Sequence, residues 1–253
     1  MMTGKFEDSE VERYARQIIM PEIGGAGQQK LKGAHVGIIG AGGLGSPVAQ
    51  YLAAAGVGTI SLIDDDLVSL SNLHRQLLHG TGDVGRAKVE SAAERLTALN
   101  PHVHVNAQAV RLDATNIDAL LGPVTLVVDG SDNSATRYLT ADWCAERKIP
   151  LITGSLYRFE GNVTVIAPWL GADRKPGNSA SYRDVFPRAG DDTILPDCAT
   201  AGVLGPAAGV IGTLQAVEAI KMMTGAGSPL IGRLLLYDAL SGAFHTMKTT
   251  KRP

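Results

Sequence analysis

Six residues, Gly40-Ala41-Gly42-Gly43-Leu44-Gly45, constrain this chain more than any other stretch. They close a short apolar run, His35 to Gly40, that ends in glycines, and open a helix expected from Leu44 to Ala55. In that setting the glycines permit a tight turn, let backbone N–H groups approach a phosphate, and bring helix close to strand. The helix N-terminus adds a preference for negative charge. Asp64, nineteen residues beyond Gly45 and the last residue of the strand expected over Thr59 to Asp64, stands where an acidic side chain accepts hydrogen bonds from ribose hydroxyls. A strand-end cap beside Asp65 and Asp66 is its other reading.

The rest of the chain continues this alternation. Ser9 with Glu12 predicts a capping box opening an N-terminal helix, and a second short helix follows the Pro21 to Gly27 turn. Arg86 to Leu99 is helical in pattern and stops at Asn100-Pro101. Strands are expected over His102 to Val110, Thr125 to Asp129 and Pro150 to Gly154, with a helix over Asn133 to Arg147. Gly161 to Pro168 alternates like an antiparallel strand. Residues 170 to 200 contain no periodic element, and a helix from Val203 to Met223 and strands at Arg233 to Tyr237 and Ala243 to Lys248 complete the chain. The expected fold class is α/β: a Rossmann-like, mostly parallel sheet with helices on both faces, extended by antiparallel C-terminal strands. No linker divides it, so 1–253 reads as one domain. Its parts are N-terminal helices (8–34), a nucleotide-binding core (35–157), a long crossover loop (170–200) and a C-terminal helix with strands (201–253).

Composition excludes several classes. With 23 Lys+Arg against 25 Asp+Glu, the net charge of −2 provides no field for a nucleic-acid backbone or an anionic membrane. The start, MMTGKFEDSE, has no apolar core, and the most apolar later stretch is interrupted by Gly202, Pro206, Gly209 and Gly212. Two cysteines, Cys144 and Cys198, make neither a disulfide framework nor a zinc site, and a reducing cytoplasm is the expected compartment.

The glycines and Asp64 serve NAD and ATP equally. Asn72, Arg75, Gln76 and Lys88 tip the balance, because two cations suit a triphosphate whose outer groups must be held as they leave. Taken singly, Lys88 also reads as a solvated helix charge and Arg75 as a surface ion-pair partner. Asp132 lies just past the fourth strand, where ligands bind in such sheets. It reads as a magnesium ligand or as the N-cap of the following helix.

Together Arg13-Tyr-Ala-Arg16-Gln17, Gly40 to Gly45, Ser71-Asn-Leu-His-Arg75-Gln76, Asp129-Gly-Ser-Asp132-Asn133 and Gly202-Val-Leu-Gly-Pro206 closely resemble the MoeB/ThiF family, bacterial relatives of ubiquitin-activating enzymes. The resemblance spans roughly residues 9 to 250. It implies adenylylation, with magnesium and ATP, of the C-terminal glycine carboxylate of a ubiquitin-like sulfur-carrier protein of the MoaD or ThiS kind, a partner ending in Gly-Gly. It assigns the ribose to Asp64, phosphates to Asn72, Arg75 and Lys88, and magnesium to Asp132. It also implies a homodimer in which Arg16 reaches the partner subunit's triphosphate. Cys198 falls at a loop cysteine that some members use in sulfur or thioester steps, and Arg158 falls near the carrier-tail groove, where a strand-edge charge is its other reading. Cys144 is expected in the core. Many relatives carry two CxxC pairs that bind zinc; here Ser181 and Asp184 replace the first and no second exists, so no zinc is expected. The competing readings are an NAD-dependent oxidoreductase, a non-catalytic binding subunit, and a relative adenylating a peptide or a tRNA base.

Overall fold

A computed structural model describes residues 6–187 and 202–252. Its centre is an eight-stranded sheet in the order β3-β2-β1-β4-β5-β6-β7-β8. The strands are β1 (His35–Ile39), β2 (Thr59–Ile63), β3 (His104–Gln108), β4 (Leu126–Asp129), β5 (Leu151–Tyr157), β6 (Glu160–Ile166), β7 (Arg233–Asp238) and β8 (Ala243–Lys248). The first five pair in parallel, and β5 to β8 form an antiparallel meander. This is the expected extended, mostly parallel sheet.

The central strands read as unbroken apolar runs because both faces are covered. Val36, Ile38, Ile60, Leu62, Leu126 and Val128 point into one core. On that side lie α1 (Asp8–Ile18), α2 (Gly24–Gly33), α3 (Gly45–Ala54) and α4 (Lys88–Leu99), with the long C-terminal helix packed across α3, β5 and β6. Ile39, Ile63 and Val127 point into the other core, beneath α5 (Ile117–Leu121), α6 (Ser134–Arg147) and α7 (Tyr182–Val185). The C-terminal helix, α8 (Gly205–Thr224), carries Pro206 in its first turn and ends on Gly225 at φ 91°.

Several expectations are corrected. The first helix begins one residue earlier than Ser9, and its capping box is formed by Glu7 and Glu10. Glu10 is buried and also takes the Lys32 ammonium at 2.6 Å, so the pair that looked like a local signal is displaced by a tertiary contact. The helix α5 was not expected; its apolar residues pack over Gly37, where a side chain would come within 2.6 Å of Leu121. The strand expected to stop at Gly154 runs to Tyr157, because β6 pairs with it along its whole length. Within the expected 170–200 loop, α7 forms a single turn capped by Ser181, whose hydroxyl and N–H both donate to Asp184. Residues 188–200 of that loop, including Cys198, lie outside the described residues.

Candidate active site

The sheet order reverses between β1 and β4, and a cavity of about 360 Å³ opens at the carboxyl ends of the strands there. The glycine turn forms its floor. A Cβ on Gly45 would lie 1.8 Å from the Gly40 carbonyl oxygen, and Gly40 itself has φ 89°. The fold therefore requires both. Gly42 and Gly43 are different: added methyls would meet neighbours only at 3.5 Å, an ordinary contact. Both line the cavity, so what their missing side chains spare is the space a ligand would take.

Asp64 acts as a local cap and also borders the cavity. Its Oδ2 accepts from the Ala41 N–H at 2.7 Å and its Oδ1 from Asp66 N–H at 2.8 Å, while the side chain borders the cavity. Burial pushes its carboxyl above the usual range and the Lys88 charge pulls it back. Lys88 is not a solvated helix charge. It is 4% exposed, and its ammonium meets Asp66 Oδ2 at 2.6 Å. As the first residue of α4 it also opposes the helix dipole. A buried cation at the same cavity as the glycine turn suits an anionic ligand.

Arg75 lines the cavity and donates to the Asn72 side-chain oxygen at 2.9 Å; no described carboxylate pairs with it. Asn72 does not line the cavity but stands behind Arg75, orienting it. Gln76 is 4% exposed and its Oε1 has no hydrogen-bond partner. A buried orphan oxygen beside a cavity is costly unless a ligand satisfies it.

Across the cavity, Asp132 is exposed and lines the wall. It is not the N-cap of α6. That duty belongs to Asn133, whose side chain accepts from the Thr136 N–H at 2.9 Å. Asp129, one turn before, is fully buried; its carboxylate accepts from the Ser131 N–H and hydroxyl, and burial pushes its carboxyl up. Two cavity-lining cations were missed from sequence, Arg111 and Arg137. Arg137 donates through Nε and Nη2 to the Ser131 carbonyl at 3.1 and 2.6 Å. Its position four residues after the cap of a helix that starts at the strand's carboxyl end was the available signal.

Other expected residues lie away from this cavity. Arg16 is exposed in the last turn of α1 and does not line it. Arg158 occupies the β5–β6 turn at φ 53°, and its carbonyl accepts from the Leu204 N–H at 3.2 Å. Cys144 is buried in the second core, and burial pushes its thiol far up, which makes it a poor nucleophile. Ser181 and Asp184 are committed to each other, and Asp184 also receives the N–H of Arg252 at 3.1 Å, while the Arg252 guanidinium donates to the Asp184 carbonyl.

A profile described as "ThiF family" matches residues 14–253. The chain is 46% identical to "Sulfur carrier protein adenylyltransferase" of Thermus thermophilus, over 98% of this chain and 91% of that one. It is 44% identical to "SAMP-activating enzyme E1" of Haloferax volcanii, over 100% of this chain and 90% of that one. Among solved structures, PaaA superposes with a TM-score of 0.82 at 25% identity, covering 100% of this chain and 77% of that one.

Proposed function

Since this chain belongs to the ThiF family, we infer that it is an adenylyltransferase. It activates the C-terminal glycine carboxylate of a small ubiquitin-like sulfur-carrier protein with ATP and releases pyrophosphate. The observation that carries this reading is the buried Lys88 lining one cavity with Arg75 and the glycine turn. A redox dinucleotide needs no such concentration of cations.

The reaction needs no nucleophile from the protein. The carrier's carboxylate attacks the α-phosphorus in line, and Arg75 and Lys88 offset charge building on the leaving pyrophosphate. Gly42 and Gly43 give the phosphates access to backbone N–H groups, and Asp64 holds the ribose through the lone pairs its local bonds leave over. Asp132 would hold magnesium, since it is exposed to the cavity and has no capping duty. Magnesium there would neutralise phosphate charge.

Arg16, outside its own cavity and exposed, suits a homodimer in which it completes the partner's site. No zinc belongs to the scheme, because Ser181 and Asp184 are hydrogen-bonded to each other and to Arg252. The reading is of an enzyme working in the cytoplasm with a protein substrate and no nucleic acid; no helix among the described residues is long and apolar enough to cross a membrane.

The test is exchange of radiolabelled pyrophosphate into ATP. Exchange is expected only when a carrier ending in Gly-Gly is present, and to vanish when those glycines are removed. Absence of exchange with every Gly-Gly carrier of the native host overturns the reading.

A further inference from the structure

The glycine turn has no side chains with which to orient its own peptide planes, so their direction must be imposed from outside. Asp64 holds the Gly40–Ala41 peptide through the Ala41 N–H. The next peptide, Ala41–Gly42, is held from the opposite side by His79, which is 6% exposed. Its Nε2 lies 3.0 Å from the Ala41 carbonyl oxygen, and its Nδ1 lies 3.0 Å from the Ser91 hydroxyl. A carbonyl can only accept, so Nε2 carries the hydrogen; Nδ1 faces the Ser91 hydroxyl, which also bonds the Asp83 carboxylate.

We propose that His79 is a positioning residue of the nucleotide site: by holding the Ala41 carbonyl it aims the Gly42 N–H of the same peptide at the phosphates. In a trans peptide the N–H points opposite to the C=O. Turning the Ala41 carbonyl onto His79 therefore turns the Gly42 N–H away from the imidazole, and Gly42 lines the cavity. Gly42's own carbonyl accepts from Ser46 N–H at 2.9 Å, which fixes the following peptide on α3. Three successive peptides are thus anchored, on β2, on the 77–79 segment and on α3. Because Ser91 belongs to α4, the same imidazole also ties the glycine turn to the helix that carries Lys88.

The ring does this work as a neutral group. Burial and the nearby Lys88 favour the neutral form, while Asp64, Asp83 and the bond to the Ala41 carbonyl act the other way, and the balance lies below the usual imidazole value. A buried neutral histidine leaves the cavity's positive charge to Lys88 and the arginines.

The proposal rests on the nucleotide reading above, and the test separates the two. ATP affinity by calorimetry, pyrophosphate-exchange kinetics and the unfolding midpoint are measured for the full chain, His79→Ala, His79→Gln and Ser91→Ala. His79→Ala is expected to raise the Kd and KM for ATP about tenfold with the KM for the carrier unchanged. His79→Gln, which can still donate an N–H, recovers most of this, to within about threefold of the native value. Ser91→Ala, which releases the other ring nitrogen, weakens ATP in the same direction by less. Should His79→Ala fail to fold, the other two decide. Native ATP affinity in folded His79→Ala or in Ser91→Ala, or a glutamine variant no better than alanine, overturns the proposal. If the native chain itself binds no ATP, the nucleotide reading falls and this one with it.

Discussion

Asp132 and Asn133 are adjacent in sequence and separate in duty. The cap of α6 rests on the Asn133 side chain, which satisfies one of the helix's orphan N–H groups, whereas Asp132 projects to the cavity. Asn133→Ala should therefore cost about 1 kcal/mol of stability. Asp132→Ala should leave the unfolding midpoint unchanged and abolish pyrophosphate exchange, because no neighbouring carboxylate on that wall replaces it. Denaturant unfolding and exchange rates on the two variants check the pair; an Asp132→Ala protein that is destabilised but active would return Asp132 to a structural role. The cavity-lining residues legible in the sequence were Asp64, by its spacing from the glycines, Arg75, Gln76 and Lys88, by their closeness to Asp64, and Asp132, by its place just past the fourth strand. Burial was not legible: a lysine opening a charged helix looks solvated, and only packing against Asp66 and the glycine turn encloses Lys88. Arg111 and Arg137 were missed for a related reason, since their reach depends on where β3 and α6 arrive at the cavity.

At the scale of elements, the strands were legible because each is an apolar run bounded by turn residues, and their boundaries moved by only a few positions. What periodicity could not supply was structure made by tertiary contact. The five-residue α5 has no side-chain cap and exists as a lid over Gly37, and the last turn of β5 exists because β6 pairs with it. The turn α7 is likewise fixed from outside. Tyr138 donates to the Phe186 carbonyl, Arg183 makes a two-pronged pair with Asp142, and Asp184 binds Arg252 near the C-terminus. These contacts join the segment after β6 to α6 and to the C-terminal residues with hydrogen bonds. Asp184→Ala removes the capping box and the side-chain bond to the Arg252 N–H, leaving the guanidinium's bond to the backbone carbonyl. The expected loss is about 1 kcal/mol, with faster amide exchange confined to residues 181–186 and the C-terminal residues. Metal analysis of protein purified without chelator should find no stoichiometric zinc in the native chain. Zinc bound there, released as Asp184 is replaced, would contradict both statements.

For the whole molecule the question is whether one chain makes a complete site. The cavity supplies cations at Arg75 and Lys88, a carboxylate at Asp132 and backbone at the glycine turn, all from elements that meet where β1 and β4 part. Two residues that the resemblance assigns to phosphates do not line the cavity: Asn72, which stands behind Arg75, and Arg16. Arg16 belongs to α1, whose buried Tyr14 accepts from the Asn100 side-chain amide, and this packing fixes the helix away from the cavity of its own chain. On the homodimer reading proposed above, Arg16 would serve the partner subunit's triphosphate, so each site would draw on both chains. Arg16→Ala and Asp132→Ala should then each be inactive alone. Mixed and allowed to exchange subunits, they should regain up to about a quarter of native exchange activity, since random pairing makes half the dimers mixed and each mixed dimer holds one intact site of two. Activity should rise with the fraction of mixed dimers measured by native mass spectrometry. Mixed dimers without activity would place Arg16 in the site of its own subunit or outside the reaction, and a chain that stays monomeric while turning over ATP would remove the composite site altogether.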